Sequence, residues 1–191
     1  MSKGRLEAFS DGVIAILITI MVLDLKVPGG TDLAALVPLG SVFLSYVLSF
    51  AFLGTYWNNH HHLLQAVTVV NGRVLLANLL LLFWLSLFPF ATAWMGETEF
   101  APIPTAGYAA VSLLAALSYY VLVRTLIAAP GQAPALAQAI GRDRKGRISP
   151  ALYTVAIPVA LVAPFASLVL DAVVISVWVV PDLRIERTLG S

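Results

Sequence analysis

The sequence predicts an all-α polytopic membrane protein with six transmembrane helices and both termini in the cytoplasm. Three observations support this fold class. Of the 191 residues, 60% are hydrophobic and only 11% are charged, whereas soluble domains carry about 25% charged residues. Six apolar stretches follow one another along the chain. The Lys and Arg residues, finally, collect on one side of the resulting topology.

The six predicted spans cover residues of about 6–26, 33–64, 72–95, 105–128, 150–168 and 171–185, since one crossing needs roughly 20 mostly apolar residues. The first ends before the helix-breaking segment Val27–Gly30, and Asp32 is the expected N-cap of the second. Only Asp171 and its neighbours separate the last two spans. We interpret them as a helical hairpin, because one helix over residues 150–180 would be about 45 Å long, too long for a single crossing. Residues 1–191 are predicted to form a single domain of six helices.

Charge placement sets the predicted orientation. Positive residues accumulate in cytoplasmic loops, so the side that receives nearly all Lys and Arg residues is predicted to be the cytoplasm. The residues on that side are Lys3, Arg5, Arg73, Arg124, Arg142, Arg144, Lys145, Arg147, Arg184 and Arg187. The opposite side receives Lys26, together with the acidic residues Asp24, Asp32, Glu97, Glu99 and Asp171. The predicted location is the cell membrane.

Several classes of function find no support in the sequence. There is no cysteine for thiol or disulfide chemistry, no basic patch for nucleic acid, and no G-x-S-x-G, H-E-x-x-H or Walker motif. The middle of the predicted spans offers hydroxyl and amide groups but no charge, whereas coupled transporters usually place an ionisable group there. These neutral groups are Thr19, Ser45, Ser49, Asn78, Ser112 and Ser118. We therefore expect neither an enzyme nor a cofactor.

The histidine cluster His60–His62 does not by itself predict a metal site. Consecutive histidines on a helix point about 100° apart, and zinc sites use pairs three or four residues apart with further ligands. Two interpretations stay open: a polar helix end at the membrane interface, or one histidine that packs inward and hydrogen-bonds a neighbouring helix. No bound metal is predicted.

The first span is charged at its start and free of charge in its middle. Ile16, Ile20 and Leu23 fall on one helical face, with Thr19 beside them. Such a face is usually a packing surface. It can also close a narrow pore by excluding water, with the threonine hydroxyl available to a passing cation.

The segment Arg5–Asp11, RLEAFSD, resembles the R-x-x-x-F-S-D signature of the transmembrane protein 175 family in its prokaryotic single-repeat form. The similarity continues through residues 12–16 and 19–21. It extends further to Trp57, His60, His61, Asn78, Ser86, Pro89 and Phe90.

This resemblance implies a potassium channel of modest selectivity, a bacterial homologue of a lysosomal-type leak channel. It implies a homotetramer in which the first helix lines the pore and a hydrophobic constriction replaces a T-V-G-Y-G filter. The implied pore-lining residues are Ile16, Thr19, Ile20 and Leu23. The implied polar network that braces the first helix comprises Arg5, Phe9, Ser10, Asp11, Trp57, His61 and Asn78.

The expected partners are further copies of the chain, the lipid bilayer and permeant potassium ions, and nucleic acid is not among them. Two other functions remain as alternatives to a channel. One is a secondary transporter of a small solute, and the other is a non-conducting membrane scaffold.

Overall fold

The computed structural model describes residues 2–131 and 144–179, and every regular element in these ranges is a helix. Helix α1 (Lys3–Ile20) continues into a 3₁₀ turn (Met21–Asp24), and a second 3₁₀ segment (Leu33–Leu39) leads into α2 (Gly40–Gln65). The remaining helices are α3 (Gly72–Leu85), α4 (Phe88–Glu97), α5 (Pro102–Ile127), α6 (Arg144–Val162) and α7 (Pro164–Val179). Much of the predicted basic loop and the end of the sixth predicted span lie outside the described residues.

Within residues 2–131 and 144–179, four helical segments are long and apolar enough to cross a membrane: Lys3–Asp24, Leu33–Gln65, Gly72–Glu97 and Pro102–Ile127. They coincide closely with the first four predicted spans. Two shorter apolar helices, Ile148–Val162 and Pro164–Val179, follow them. The chain is therefore a helical membrane protein, while the six-span count and the side of the termini stay predictions.

Local sequence signals explain where several helices begin and bend. The predicted cap at Asp32 is confirmed, because its Oδ1 accepts a hydrogen bond of 3.1 Å from the backbone N–H of Ala35. Asn71 caps α3 in the same way, at 3.0 Å from the backbone nitrogen of Val74. The third predicted span is divided into α3 and α4, and Pro89 lies in the first turn of α4. Proline has no N–H to continue the helical ladder, so the helix breaks before it.

The predicted boundary between the last two spans is wrong. The sequence predicts this boundary at Asp171, but α6 ends at Val162 and α7 begins at Pro164. Pro164 cannot continue α6, and a proline is well tolerated in the first turn of a new helix. Asp171 instead lies in the middle of α7, fully buried, and neither carboxyl oxygen has a hydrogen-bond partner among the described residues. The expectation that the middle of the spans carries no charged residue therefore fails for this helix.

The helices pack around α5, which contacts α3, α4, α6 and α7. Helices α2 and α4 also approach closely at Gly96, where an added Cβ would overlap Ser45 Oγ and lie 2.9 Å from Val42 Cα. Small residues permit such close helix contacts in membranes. Helix α1 contacts α2, α3 and α4 with one face, and no other described residue covers its opposite face.

Candidate functional site

Helix α1 divides into a packed face and an exposed face. Leu6, Ser10, Ile14 and Leu17 are buried at spacings of three and four residues, and Met21 continues this face into the 3₁₀ turn. These spacings are those of one side of an α-helix. The sequence of α1 therefore sets which of its side chains face the remainder of the subunit.

The opposite side of α1 carries what we call the exposed stripe, formed by Ile16, Thr19, Ile20 and Leu23. The exposed fractions are 59% for Ile16, 44% for Ile20 and 78% for Leu23, and Thr19 is also exposed. Leu23 lies in the 3₁₀ turn, where residues i and i+3 eclipse each other, so it remains in line with Ile20. The four predicted pore-lining residues thus share one uncovered surface.

The hydroxyl of Thr19 is directed back to its own helix. Its Oγ1 lies 3.0 Å from the carbonyl oxygens of both Ala15 and Ile16, to which it donates its proton. A hydroxyl oxygen also has two acceptor lone pairs. Because the proton is used within α1, the oxygen can accept a cation or a water proton from the exposed side.

A buried network of three polar side chains joins α1, α2 and α3. Asn78 donates from Nδ2 to Ser10 Oγ at 2.9 Å, and its Oδ1 lies 2.7 Å from His60 Nε2. All three residues are 0% exposed. Ser10 in turn donates to the carbonyl oxygen of Leu6 at 2.9 Å. The amide oxygen of Asn78 can only accept, so the bond assigns the proton to Nε2 of His60.

A second group, the mouth cluster, lies where the start of α1 meets the end of α2. It comprises Glu7, Asp11, Trp57, His61 and Gln65. Trp57 Nε1 donates to Asp11 Oδ1 at 3.1 Å, and His61 Nδ1 lies 3.2 Å from Glu7 Oε1. Gln65 Nε2 is 2.8 Å from His61 Nε2. The cluster ties two charged residues of α1 to three residues of α2.

The structure brings together most, but not all, of the predicted network. Ser10 and Asn78 belong to the buried network, and Asp11, Trp57 and His61 belong to the mouth cluster. Arg5 and Phe9 join neither group within the chain: both are exposed, Phe9 by 51%. No hydrogen bond or ion pair joins Arg5 to a residue in the described ranges.

The structure also identifies which histidine packs inward. His60 is the buried one, whereas His61 is only partly buried and faces Glu7. Sequence reasoning assigned no partner to Glu7 and did not consider Gln65. The spacing of these residues does contain a signal. Glu7 precedes Asp11 by four residues, and Trp57, His61 and Gln65 follow one another at the same interval, so each set lies on one face of its helix. Two such ladders on neighbouring helices can face each other.

Comparison with known proteins gives the family. Residues 5–89 match the family model described as endosomal/lysosomal potassium channel TMEM175. A potassium channel of Chryseobacterium sp. (strain P1-3) is 48% identical over 189 residues, which are 99% of this chain and 98% of that protein. The chain belongs to the TMEM175 family. The match of residues 5–89 extends from α1 into the start of α4, so it includes the exposed stripe, the buried network and the mouth cluster.

Two further TMEM175 proteins show how far the similarity extends. The crystal structure of a lysosomal potassium-selective channel TMEM175 homolog from Chamaesiphon minutus aligns with a TM-score of 0.79 and 28% identity, over 93% of this chain and 96% of that chain. The endosomal/lysosomal proton channel TMEM175 of Homo sapiens is 39% identical over 103 residues, which are 48% of this chain and 20% of that protein. The fold is therefore shared with the bacterial homologue over nearly its whole length.

Proposed function

We propose that the chain is a subunit of a potassium channel of modest selectivity, and that its exposed stripe lines the pore. The observation that carries this proposal is the uncovered face of α1, which presents Ile16, Thr19, Ile20 and Leu23 opposite a packed face. Membership of the TMEM175 family and the names of its bacterial relatives support it.

A pore requires several copies, because one helix cannot enclose an ion path. We propose a homotetramer of six-helix subunits in the cell membrane, with both termini cytoplasmic. Four α1 helices in contact at about 10 Å would each have their centre roughly 7 Å from the axis. Ile and Leu side chains can close most of the remaining gap. The rings of Ile16, Ile20 and Leu23 would then act as a hydrophobic constriction that excludes water.

Thr19 is the proposed source of selectivity. Its hydroxyl proton is bonded within α1, so four threonine oxygens would face the axis as acceptors. These oxygens and the backbone dipoles would partly offset the free-energy cost of removing water from an ion at the constriction. Potassium loses its hydration more readily than the smaller sodium ion, which gives a modest preference.

The test is potassium flux into liposomes that contain the purified protein. Replacing Ile16 with Asn wets the constriction, and we expect flux to rise on the order of tenfold, as for a barrier lowered by about 1.4 kcal/mol. Val169→Asn is the matched control, because Val169 is 61% exposed and lies on α7. Equal flux for wild type and Ile16→Asn would contradict a constriction at this residue. If the purified protein is a monomer in detergent, the proposal of a pore formed by several copies is wrong.

Selectivity is tested by reversal potentials in planar bilayers. Thr19→Val keeps the side-chain shape and removes the hydroxyl, so the potassium-to-sodium permeability ratio should fall towards one. Thr19→Ser retains the hydroxyl and should retain the ratio. Unchanged selectivity in Thr19→Val would remove Thr19 from the permeation path. Because the human relative is named a proton channel, a pH indicator in the vesicles serves as the control for proton permeation.

The same vesicles distinguish the alternatives. A secondary transporter would give flux that saturates and depends on a coupled solute, and a scaffold would give none. Buried Asp171 in α7 is the feature of this chain that a transporter would use. We therefore expect a channel to retain potassium flux after Asp171→Asn.

A further inference from the structure

We propose that Glu7, Asp11 and His61 form a binding site for one divalent transition-metal ion of the zinc type, which bridges α1 and α2. The sequence predicted no metal, because the histidines of His60–His62 cannot share an ion. In the folded chain, however, the carboxylates of Glu7 and Asp11 on α1 lie next to His61 on α2. Each of the three residues offers a ligand atom, and these atoms lie within 4.8 Å of one another.

The donor set fits a borderline metal rather than a hard cation. One imidazole nitrogen and two carboxylate oxygens are ligands that zinc and its neighbours accept, whereas calcium and magnesium prefer oxygen ligands alone. Two ligands about 2.1 Å from a tetrahedral ion are about 3.4 Å apart. A separation at the 4.8 Å limit would thus have to shorten by roughly 1.4 Å, which carboxylate side-chain rotation can supply. The fourth position would be left to water.

His61 provides an independent observation at the atomic level. Its Nδ1 is buried and makes no hydrogen bond within the described ranges, although Glu7 Oε1 is 3.2 Å away. Buried polar atoms are normally partnered. A metal between Nδ1 and the two carboxylates would satisfy this nitrogen and join it to both side chains of α1.

Two neighbouring side chains, Gln65 and Trp57, can hold the proposed ligands in place by hydrogen bonds. Metal-bound histidine usually donates its other ring N–H to an oxygen acceptor, and bound carboxylates are themselves hydrogen-bonded. Gln65 lies 2.8 Å from His61 Nε2. Rotating the side-chain amide of Gln65 by 180° exchanges its Nε2 and Oε1 and leaves the shape of the side chain almost unchanged. In that orientation Oε1 can accept a hydrogen bond from the Nε2–H of His61. Trp57 already donates to Asp11 Oδ1 at 3.1 Å and holds that carboxylate.

The experiment uses the purified full chain in detergent, with any affinity tag removed. Zn²⁺ is titrated by calorimetry, and Co²⁺ is added as a spectroscopic probe for ligand geometry. We expect one ion per chain and visible Co²⁺ absorption of a four-coordinate site. Glu7→Gln and His61→Gln should abolish both signals. His62→Gln is the matched control, since it removes the adjacent histidine that is not part of the cluster, and it should bind as wild type does.

Two further variants separate metal binding from general damage. Asp11→Asn keeps an oxygen that can accept from Trp57 but removes the negative charge, so it should weaken binding while the protein stays folded. Gln65→Ala removes the outer acceptor and should lower Zn²⁺ affinity by about 10–100-fold. Elution volume and melting temperature without metal report on folding in every case. Wild type without a Co²⁺ signal, or an equal loss in His62→Gln and His61→Gln, would overturn the site. Neither readout needs ion flux, so this result is independent of the proposed channel.

Discussion

Replacing Asn78 with Ala should be among the most damaging single substitutions in the polar groups that hold α1. Asn78 makes two hydrogen bonds, one to Ser10 on α1 and one to His60 on α2, and all three side chains are fully buried. Alanine removes both bonds and leaves the Nε2–H of His60 buried without an acceptor. Ser10 retains its own donated bond to Leu6 and loses less.

The magnitude follows from these contacts. Hydrogen bonds between membrane helices contribute about 0.6 kcal/mol on average and up to about 1.7 kcal/mol, so the two bonds account for roughly 1–3 kcal/mol. A buried donor left unpaired adds about 1–3 kcal/mol. The sum is about 2–6 kcal/mol. At roughly 2–4 °C per kcal/mol for a chain of this length, a loss of about 3 kcal/mol lowers the melting temperature by about 6–12 °C.

Tryptophan fluorescence on heating in detergent measures this change. Ser176→Ala is the control, because Ser176 is exposed and, among the described residues, its hydroxyl bonds only to the carbonyl oxygen of Ala172 on the same helix. It should shift stability by no more than about 0.5 kcal/mol. In a double-mutant cycle, His60→Leu and Asn78→Leu together should cost less than the sum of the single substitutions by about 1–3 kcal/mol, since neither partner is then left unpaired. Two results would refute this role of Asn78. One is that the stability losses of the two Leu substitutions add without coupling, and the other is that Asn78→Ala and Ser176→Ala have the same melting temperature.

Four further substitutions test other positions in the helices. Asp11→Ala removes the acceptor of the Trp57 indole, and it should reduce the fraction of the proposed tetramer on gel filtration more than it changes ion selectivity; a stable tetramer with normal flux would contradict this bracing role. Gly96→Ala should destabilise by about 1–3 kcal/mol in thermal melts because its Cβ has no space between α2 and α4. Gly54→Ala, with nothing within 4 Å of the added Cβ, should instead stabilise by about 0.5–1 kcal/mol. Asp171→Leu should raise the melting temperature, because it removes a buried carboxyl without a hydrogen bond among the described residues, and a lower melting temperature would show that the carboxyl has a stabilising partner.

The sequence was sufficient for the early helices and insufficient for the last two. Long apolar runs with a capping residue such as Asp32 determine local structure, so their helices can be located directly. The boundary near Asp171 failed for a physical reason. A carboxylate between two apolar runs is typical of a loop, whereas Pro164 is compatible with either a kink or a helix start. Only the burial of Asp171 in the folded chain distinguishes a boundary at Asp171 from a boundary at Pro164. That burial depends on which helices surround α7.

The candidate site shows the same division. That polar side chains of the first span meet polar side chains of the second could be expected, because unpartnered charges are costly there. The choice between His60 and His61 depends on the rotation of α2 about its axis. That rotation follows from contacts with α1 and α3, which are distant in sequence. The pairing of Glu7 with His61 was not predicted, because the two residues lie on different helices and the 3.2 Å separation of His61 Nδ1 and Glu7 Oε1 depends on how those helices pack.

The direction in which the exposed stripe faces is set by the packed face of α1 and its polar contacts, and not by the hydrophobicity of the stripe itself. In a bilayer, lipid tails are as apolar as Leu, so an Ile or Leu gains little from facing one apolar neighbour instead of another. A rotation of α1 by one residue, about 100°, would therefore cost Ile16 or Ile20 almost nothing. It would break the bond of Ser10 to Asn78 and the bond of Asp11 to Trp57. The polar contacts near the start of α1 thus help to fix the orientation of a surface about two turns further along the helix, and substitutions that remove these contacts should alter conduction without contacting the proposed pore.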